Sequence, residues 1–160
     1  MGKFNFKEED FEKIKKEAEN FYDTIKEVYC PYFGEKVAFN VKGIKHLKFK
    51  NDQQARPRID QYARLKLIQF APEVLKISKT VQGISEKRKL EHQKTNNRWE
   101  YAMKLVKHYE FIAVLKDLRI KVIVKQVEGG EKHFWSVIPF WGIDKELGKR
   151  VLYSGNPETD

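Results

Sequence analysis

The second half of this 160-residue chain contains three short runs rich in β-branched and aromatic residues, at positions 108–115, 119–127 and 132–141. The first two runs are joined by "KDL" and the last two by "EGGE", and Gly-Gly is a signal for a tight hairpin turn. Strands joined by such short connections pair with their neighbours in antiparallel fashion. The pattern therefore predicts an antiparallel β-meander, preceded by an extended segment at 80–93.

The first half of the chain has the periodicity of helices. Apolar residues recur at three- and four-residue steps through positions 6–29, and Asn5 with Glu8 fits a capping pair at the start of that helix. A second helical region, "RIDQYARLKLIQFAPEVLKISKT", is predicted to break near Pro72, because the residue before a proline disfavours helix geometry. Between these regions, residues 36–41 alternate as in a short strand, "GIKHLKFK" fits a short helix or turn, and the polar stretch "NDQQARPR", which holds Pro57, fits a loop.

Helices first and a meander second predict an α+β fold, in which N-terminal helices pack on one face of a C-terminal antiparallel β-meander sheet. Hydrophobic residues make up 41% of the chain, which is enough apolar side chain to build a core. The length suits a single domain over residues 1–160, with an amphipathic helix in 1–30, a core in 36–141 and a polar tail in 155–160.

A two-residue turn at Gly129-Gly130 would set the register of the last hairpin. It places Lys125 opposite Phe134 and Ile123 opposite Ser136. A slip of one residue would move every side chain of the strand to the other face of the sheet, so the assignment of faces depends on this turn.

Period-2 alternation then sorts the two faces of the sheet. The core face is predicted to be apolar, with Ile120, Val122, Val124, Trp135 and Val137. The second face is basic and partly aromatic, and a "DL" turn would set Glu110 beside Lys125 on it; its other members are Arg119, Lys121, Ile123, Phe134, Ser136 and Ile138. Such a face fits an RNA platform, with cations on phosphates and rings stacked on unpaired bases. It also fits a face half covered by a helix, with lysines snorkelling at the edge.

The net charge of +9 is concentrated in the middle of the chain, since residues 42–104 hold 16 basic and 6 acidic side chains, a balance of +10. This clustering favours a polyanionic partner, most often nucleic acid, although a solvated lysine-rich surface has the same composition. Cys30 is the single cysteine and no two histidines are spaced as a metal pair, so no cofactor or metal is expected. No apolar leader or membrane-spanning run is visible, which predicts a cytoplasmic protein without a membrane partner.

The stretch "GIKHLKFK" at 43–50 sets His46 among Lys45, Lys48 and Lys50. Metal-independent RNA cleavage needs a base for the 2′-hydroxyl, cations for the phosphorane and an acid for the leaving oxygen. Histidine suits either proton role, and nearby cations favour the neutral imidazole that a base needs. The stretch therefore indicates either a cationic phosphate site or an ordinary surface histidine on an amphipathic turn.

The order of "GIKHLKFK", "APEVLKISKTVQG" and "KVIVKQVEGGEKHFWSVIP" resembles the phage-associated nuclease domains of the barnase–EndoU–colicin–RelE-like group. The resemblance covers residues 36–141 as a nuclease-like core. It implies a metal-independent ribonuclease of the toxin or phage-effector type, and an acidic inhibitor or antitoxin protein as a partner. It assigns His46 as the histidine, Lys125 as the late-strand cation and Ser136 as the strand hydroxyl. Lys48 and Arg119 are weaker basic counterparts. It assigns no second catalytic histidine, so the general acid stays open.

The first functional hypothesis is cleavage of single-stranded RNA through attack of the 2′-hydroxyl. His46 is then base or acid, Lys125 and Arg119 stabilise the phosphorane, and Ser136 positions a phosphate oxygen. The expected nucleic-acid contacts are six basic side chains and one ring: Lys45, Lys48, Lys50, Arg56, Arg58, Lys121 and Phe134. A second hypothesis is a non-catalytic RNA- or DNA-binding module that uses the same basic surface, and a third is a protein whose basic block meets an acidic chain.

Overall fold

A computed structural model describes residues 7–51, 53–140, 143–144, 149–150 and 156–160. The predicted cap at Asn5 and the end of the third run at position 141 lie outside these residues. The helices are α1 (Phe11–Ile25), α2 (Val41–Lys48), α3 (Arg58–Leu67) and α4 (Ala71–Ile77). The longer strands are β5 (Gly83–Thr95), β6 (Arg98–Leu115), β7 (Leu118–Val127) and β8 (His133–Pro139). The shorter strands are β1 (Glu27–Cys30), β2 (Glu35–Ala38), β3 (Phe49–Asn51), β4 (Gln54–Ala55), β9 (Ile143–Asp144) and β10 (Lys149–Arg150).

The main sheet has six strands in the order β1-β2-β8-β7-β6-β5. Strands β5 to β8 form the antiparallel meander, and β2 joins β8 in parallel through the pair Ala38 and His133. The N-terminal helices supply the other layer. The predicted α+β class is therefore confirmed, and the sheet as a whole is mixed because of the β2–β8 pair.

Two local predictions need correction near the N-terminal half. The first helix ends at Ile25, and the chain continues into β1, whose buried Val28 pairs with Val37 of β2. The helical spacing of apolar residues continued through Val28, so the pattern could not separate the two elements. The polar stretch after α2 is a short β3–β4 hairpin and not a loop. The predicted break near Pro72 is confirmed, because a 3-10 turn at Ile68–Phe70 separates α3 from α4, but its expected cause is wrong: Ala71 is helical although it precedes the proline, and Pro72 lies in the first turn of α4.

The core lies between the helices and one face of the sheet. From the sheet, Val122, Val124 and Val137 are fully buried, as their alternation predicted. From the helices, the apolar face of α1 and the buried side chains of α2, α3 and α4 meet them; these are Ala18, Tyr22, Leu47, Leu65, Leu67, Val74 and Leu75. Strand alternation and helical spacing thus point their apolar residues at the same layer.

A β-bulge in β8 changes the predicted register of the last hairpin. Ile123 lies opposite Ser136, as predicted, but Lys125 lies opposite His133 and not Phe134, and the ladder shifts between Ile123 and Val124. The turn is longer than two residues, since β7 ends at Val127 and β8 begins at His133. An extra residue in one strand locally reverses the alternation of side chains.

The bulge exchanges the predicted positions of two aromatic rings. Phe134 is fully buried and stacks on Phe39 at 4.8 Å, so the predicted role of Phe134 as an exposed base-stacking ring is wrong. Trp135 is only half-buried and lies on the second face of the sheet, where Lys125 sits over its ring. Trp135 was expected in the core, and that expectation is also wrong.

The turn before β7 also differs from the predicted one. Lys116 and Asp117 form it, both with positive φ, and not the "DL" pair. Glu110 therefore lies opposite Ile123, and His108 takes the expected place of Glu110 opposite Lys125.

Candidate functional site

The bulged residue Trp135 is the centre of a cluster of titratable side chains. His46 of α2 stacks on its ring with the centroids 3.9 Å apart, and the Lys125 Nζ lies 4.0 Å from the ring centroid. His108 and His133 present their rings to Trp135 at 6.4 and 6.2 Å. Three of the four histidines of the chain thus meet around one indole, although they come from different elements.

His46 is held by an arginine from the segment before α3. Arg56 donates from Nε to the His46 carbonyl at 2.9 Å and from Nη2 to the imidazole Nε2 at 3.0 Å. A guanidinium only donates, so His46 Nε2 is the acceptor and the ring proton sits on Nδ1. Burial and the positive charge of Arg56 lower the pKa of His46 to about 2, which keeps the imidazole neutral.

A second arginine, Arg64 of α3, is almost completely buried, with 1% of its surface exposed. Its Nε donates to Asp60 Oδ1 at 2.6 Å, and its Nη1 donates to Ser136 Oγ at 2.7 Å and to the Asp160 carbonyl. Burial lowers the pKa of Arg64, and Asp60 opposes that effect. A buried cation is costly unless it is paired, so Asp60 holds Arg64 in place.

Residues 156–160, which we call the covering segment, lie across this cluster. Oxygens of the segment accept hydrogen bonds from the surrounding side chains: the Thr159 carbonyl from Arg56 at 2.9 Å, and the Asp160 carbonyl from Ser136 Oγ at 2.7 Å. The Glu158 carbonyl accepts from Trp135 Nε1 at 3.2 Å. The cluster therefore already holds a set of oxygen acceptors.

The side chain of Glu158 brings a negative charge into the cluster, and the charge of Asp160 also opposes the lowering of the pKa values of Arg56 and Arg64. Glu158 Oε1 accepts from Lys125 Nζ at 3.1 Å and from Lys89 of β5, and its Oε2 lies 2.7 Å from His108 Nε2. Burial alone would raise the pKa of Glu158, but the contacts with His108, Lys125 and Lys89 hold it well below its usual range. An anionic carboxylate thus sits among cations.

Next to the cluster is an open cleft of about 540 Å³, lined by His46, Lys125, His133 and Trp135. Lysines of α2 and β3 stand at its edge; these are Lys42, Lys45 and Lys50. His133 is 4% exposed, and its Nε2 has no hydrogen-bond partner among the described residues. Burial, with Lys42 and Lys125 nearby, lowers the pKa of His133 to about 4. The cleft thus offers a neutral imidazole beside several cations.

Several predicted site residues come together here. His46, Lys125 and Ser136 all belong to the cluster, and so does Arg56, which donates hydrogen bonds to His46. Lys45 and Lys50 line the cleft. His46 and Lys125 also line the cleft, whereas Ser136 is fully buried between Arg64 and Asp160 and is not one of the lining residues.

Other predicted residues lie elsewhere. Arg119 is exposed at the start of β7, six residues and thus roughly 20 Å from Lys125 along the strand. Arg58 pairs with Glu8 at 2.8 Å, and Lys48 pairs with Glu19 at 3.0 Å. Lys121 is buried on the site face of β7 and pairs with Glu110 at 2.9 Å. The structure therefore does not bring these four cations to Trp135.

Sequence reasoning missed most of the residues that surround Trp135. Arg64 was read as part of a helical pattern, and nothing in one sequence marks its burial. His108 and His133 share a row across β6, β7 and β8 with Lys125, and this row was open to prediction once the register was known. The covering segment was predicted only as a polar tail. Its contacts join residues that are far apart in the sequence, so no local pattern indicates them.

Comparison of the chain with protein-family models, with curated proteins and with solved structures found no match in any of the three. Within the described residues, no group of three or more histidine, cysteine, aspartate or glutamate side chains is arranged to hold a metal ion. In the same part of the chain, none of the helices has the length and apolar character needed to cross a membrane. The geometry of the cluster is therefore the basis for any functional assignment.

Proposed function

We propose that this chain is a metal-independent endoribonuclease that cleaves single-stranded RNA by attack of the 2′-hydroxyl on the adjacent phosphate. The observation that carries the proposal is the set of donors around the covering segment. Arg56, Arg64, Ser136 and Lys125 all direct hydrogen bonds at oxygens of residues 158–160. Donors fixed in advance around oxygens are what a site needs to stabilise a phosphorane.

In this mechanism His46 removes the proton from the 2′-hydroxyl. Burial and Arg56 lower the pKa of His46 to about 2, so the free site holds a neutral but weakly basic imidazole; the negative charge of a bound phosphate raises that pKa and makes His46 a better base. The lone pair of Nε2 is taken by Arg56 in the present arrangement. A phosphate is a stronger acceptor for a guanidinium than a neutral imidazole, so bound RNA would draw Arg56 away and free the base.

The cations and the hydroxyl stabilise the charge that develops on the phosphorus. Arg64 and Lys125 are held in position by Asp60 and by the ring of Trp135, so little reorganisation is needed when the phosphate arrives. Ser136 Oγ donates to a non-bridging oxygen in place of the Asp160 carbonyl. Arg119, which was expected in this role, lies too far away, and Arg64 takes its place.

The 5′-oxygen must receive a proton as it leaves, and His133 is our candidate for this general acid. It lines the same cleft as His46, on the β8 side of Trp135. Its pKa is about 4 without ligand, and a bound phosphate raises the pKa of a nearby imidazole because the negative charge favours the protonated form. The products are a 2′,3′-cyclic phosphate and a free 5′-hydroxyl.

The resemblance to the barnase–EndoU–colicin–RelE-like nuclease domains supports the same proposal, because the histidine, the strand cation and the strand hydroxyl that it assigns are the ones that converge. A cytoplasmic location and an acidic inhibitor protein remain part of the proposal. The acidic partner fits the lysines at the edge of the cleft, which would be its natural contacts.

The test is cleavage of an end-labelled single-stranded RNA in EDTA, beside the same oligonucleotide with 2′-O-methyl groups, which cannot attack. Wild type should release 2′,3′-cyclic phosphate ends from the first and leave the second intact. His46→Ala and Lys125→Ala should reduce cleavage at least roughly a hundredfold, the usual contribution of one proton-transfer or charge-stabilising group. Arg119→Ala is the matched control, because it removes a cation remote from the cluster and should leave the rate unchanged.

The non-catalytic binding module is the competing hypothesis, and one observation favours it. The imidazole Nε2 of His46 is occupied by Arg56, so the cluster as it stands holds no free base at that position. Binding of the 2′-O-methyl oligonucleotide with no cleavage of the RNA by wild type would support the module. Equal cleavage by wild type and His46→Ala would keep an enzyme but reject this site.

A further inference from the structure

We infer that the covering segment is a built-in inhibitor of the site and leaves it when nucleic acid binds. This inference rests on the proposed function, because it names how that same site is regulated. The segment contributes the carboxylate of Glu158 and the carbonyls of Thr159 and Asp160 to donors on β7, on β8 and in the segment before α3. RNA phosphate oxygens would need the same donors, so segment and RNA cannot occupy the site together.

The oxygens of the segment meet several hydrogen-bond donors and cations, as the oxygens of a bound phosphate do. Glu158 meets Lys89, Lys125 and the imidazole of His108, each of which lies on a different strand of the sheet. The segment is also short and makes its own turn, with Thr159 N donating to the Asn156 carbonyl at 3.1 Å and Glu158 N donating to Asn156 Oδ1 at 3.2 Å. The contacts that the segment would lose on leaving are mostly polar and charged, and a bound phosphate would replace them at the same donors.

The segment also controls the base. Arg56 Nη2 is shared between His46 Nε2 and the Thr159 carbonyl, so the segment helps to hold Arg56 against the imidazole. Removing the segment takes away one of the acceptors that fix Arg56. The inhibitory arrangement therefore covers the cations and occupies the base at the same time.

The experiment measures binding of a fluorescent 2′-O-methyl oligonucleotide, which needs no catalysis. Glu158→Gln should bind it roughly tenfold more tightly than wild type, since a hydrogen bond to a charged group contributes about 1.5–3 kcal/mol and 1.4 kcal/mol is a factor of ten. Glu86→Gln is the matched control. It removes the same charge from an exposed pair with Lys107 on the β5–β6 ribbon, and should change affinity far less.

Amide hydrogen exchange of wild type shows whether the oligonucleotide displaces the covering segment, or whether Glu158→Gln tightens binding only because it removes a negative charge. Amides of residues 156–160 should exchange faster when the oligonucleotide binds, because occupation of the site expels the segment. Unchanged or slower exchange in a saturated complex would overturn the inference, and so would equal affinities of wild type and Glu158→Gln. Tighter binding by Glu158→Gln with faster exchange, but no RNA cleavage by either protein, would keep the inhibitor and reject the nuclease.

A different observation carries a second proposal, which concerns the end of the β5–β6 ribbon. The pairing of β6 with β7 stops at Val106, so residues 87–105 form a two-stranded arm to which no third strand pairs within the described part of the chain. On one face of this arm, Leu90 lies opposite Met103 and His92 opposite Tyr101, and Trp99 follows. These apolar and aromatic side chains are exposed, Trp99 and Tyr101 at 65% each.

We propose that this face of the arm binds unpaired nucleotides. The His92 ring stacks on Tyr101 at 4.7 Å and lies 4.8 Å from Trp99, so the rings already form one platform. The arm carries six basic and two acidic side chains, a balance of +4, which suits a phosphate backbone. Trp99 also lines the cleft beside His46, so one strand of nucleic acid can reach both surfaces.

The test compares a single-stranded oligonucleotide with an abasic chain of the same length. Trp99→Ala should weaken binding of the first by roughly five- to a hundredfold, since stacking of one base on a ring is worth about 1–3 kcal/mol, and should leave binding of the abasic chain unchanged. Val114→Ala, an exposed apolar change elsewhere on β6, is the control. Equal losses for both chains would overturn the proposal, as would dissociation of a dimer by Trp99→Ala with no change in oligonucleotide affinity.

Discussion

Replacement of Gly43 by alanine should show how α2 is set against the sheet, and so how His46 is placed. A Cβ at position 43 would lie 2.5 Å from Tyr22 Oη, 2.6 Å from the Phe134 carbonyl oxygen and 2.7 Å from Phe134 Cδ1. Contacts under 3 Å are far inside van der Waals distance. The backbone oxygen belongs to the bulged strand β8 and cannot turn aside, so α2 must shift away from β8.

The magnitude follows from two opposing effects. Alanine is a better helix former than glycine by about 1 kcal/mol, which stabilises α2. Overpacking of a close contact costs about 1–3 kcal/mol, and the upper half of that range applies because the clashing atoms include backbone and a buried ring. We therefore expect Gly43→Ala to lower the free energy of unfolding by about 1–2 kcal/mol.

The measurement is urea unfolding followed by far-UV circular dichroism, in which the midpoint should fall while the slope stays the same. Lys42→Ala, on an exposed position of α2, controls for helix propensity and should be close to neutral. A Gly43→Ala protein as stable as wild type, or more stable, would refute the argument, because it would mean that α2 does not lie this close to Phe134.

Three further predictions follow from the same structure. Phe134→Ala should cost about 3–5 kcal/mol of stability, as large aromatic deletions in cores do, and Trp135→Ala clearly less, since it is half-buried; equal costs in urea unfolding would contradict the bulge. The pKa values of His46 and His133 are lowered to about 2 and 4, so unfolding takes up protons below pH 6.5, and stability should fall from pH 7 towards pH 4 by up to about 1.4 kcal/mol per pH unit for each histidine. His133→Gln should reduce that slope by up to half, and an unchanged slope would show that His133 is not buried neutral. Oligonucleotide affinity should fall steeply between about 50 and 200 mM salt through counterion release, and salt-independent binding would contradict a phosphate site.

The sequence was sufficient for the fold class and for most elements, because apolar periodicity reports which face of an element is buried. Sequence-based prediction failed where helical spacing continues into a strand and where strand alternation is interrupted by a bulge. Val28 continues the helical spacing of α1 but lies in β1. In β8, alternation alone predicts Trp135 inside and Phe134 outside, and one extra residue reverses both.

For the site, the sequence indicated which residue types could act in it, but not which of those residues lie close together in space. His46 and Lys125 were prominent because of charge clustering and strand position, and they lie together. Arg119 was chosen on the same grounds, although it is on the same strand as Lys125 and only its six-residue separation removes it from the site. The four-residue spacing of Asp60 and Arg64 is visible in the sequence and fits an ion pair on one helix face, but a buried pair and a solvated pair have the same spacing, so the burial of Arg64 had no signal.

The buried charges give the strongest physical argument that this cluster binds an anion. Arg56 and Arg64 are each at most 5% exposed, and the removal of such ions from water costs several kcal/mol per ion unless they are paired. Within the helices, Asp60 faces both guanidinium groups, at 3.6 Å from Arg56 and 2.6 Å from Arg64. Further compensation comes from oxygens of the covering segment. One framework carboxylate is therefore shared by two buried cations. The remaining oxygens, and the negative charge of Asp160, come from the covering segment, which is the arrangement expected where a phosphate can take the same place.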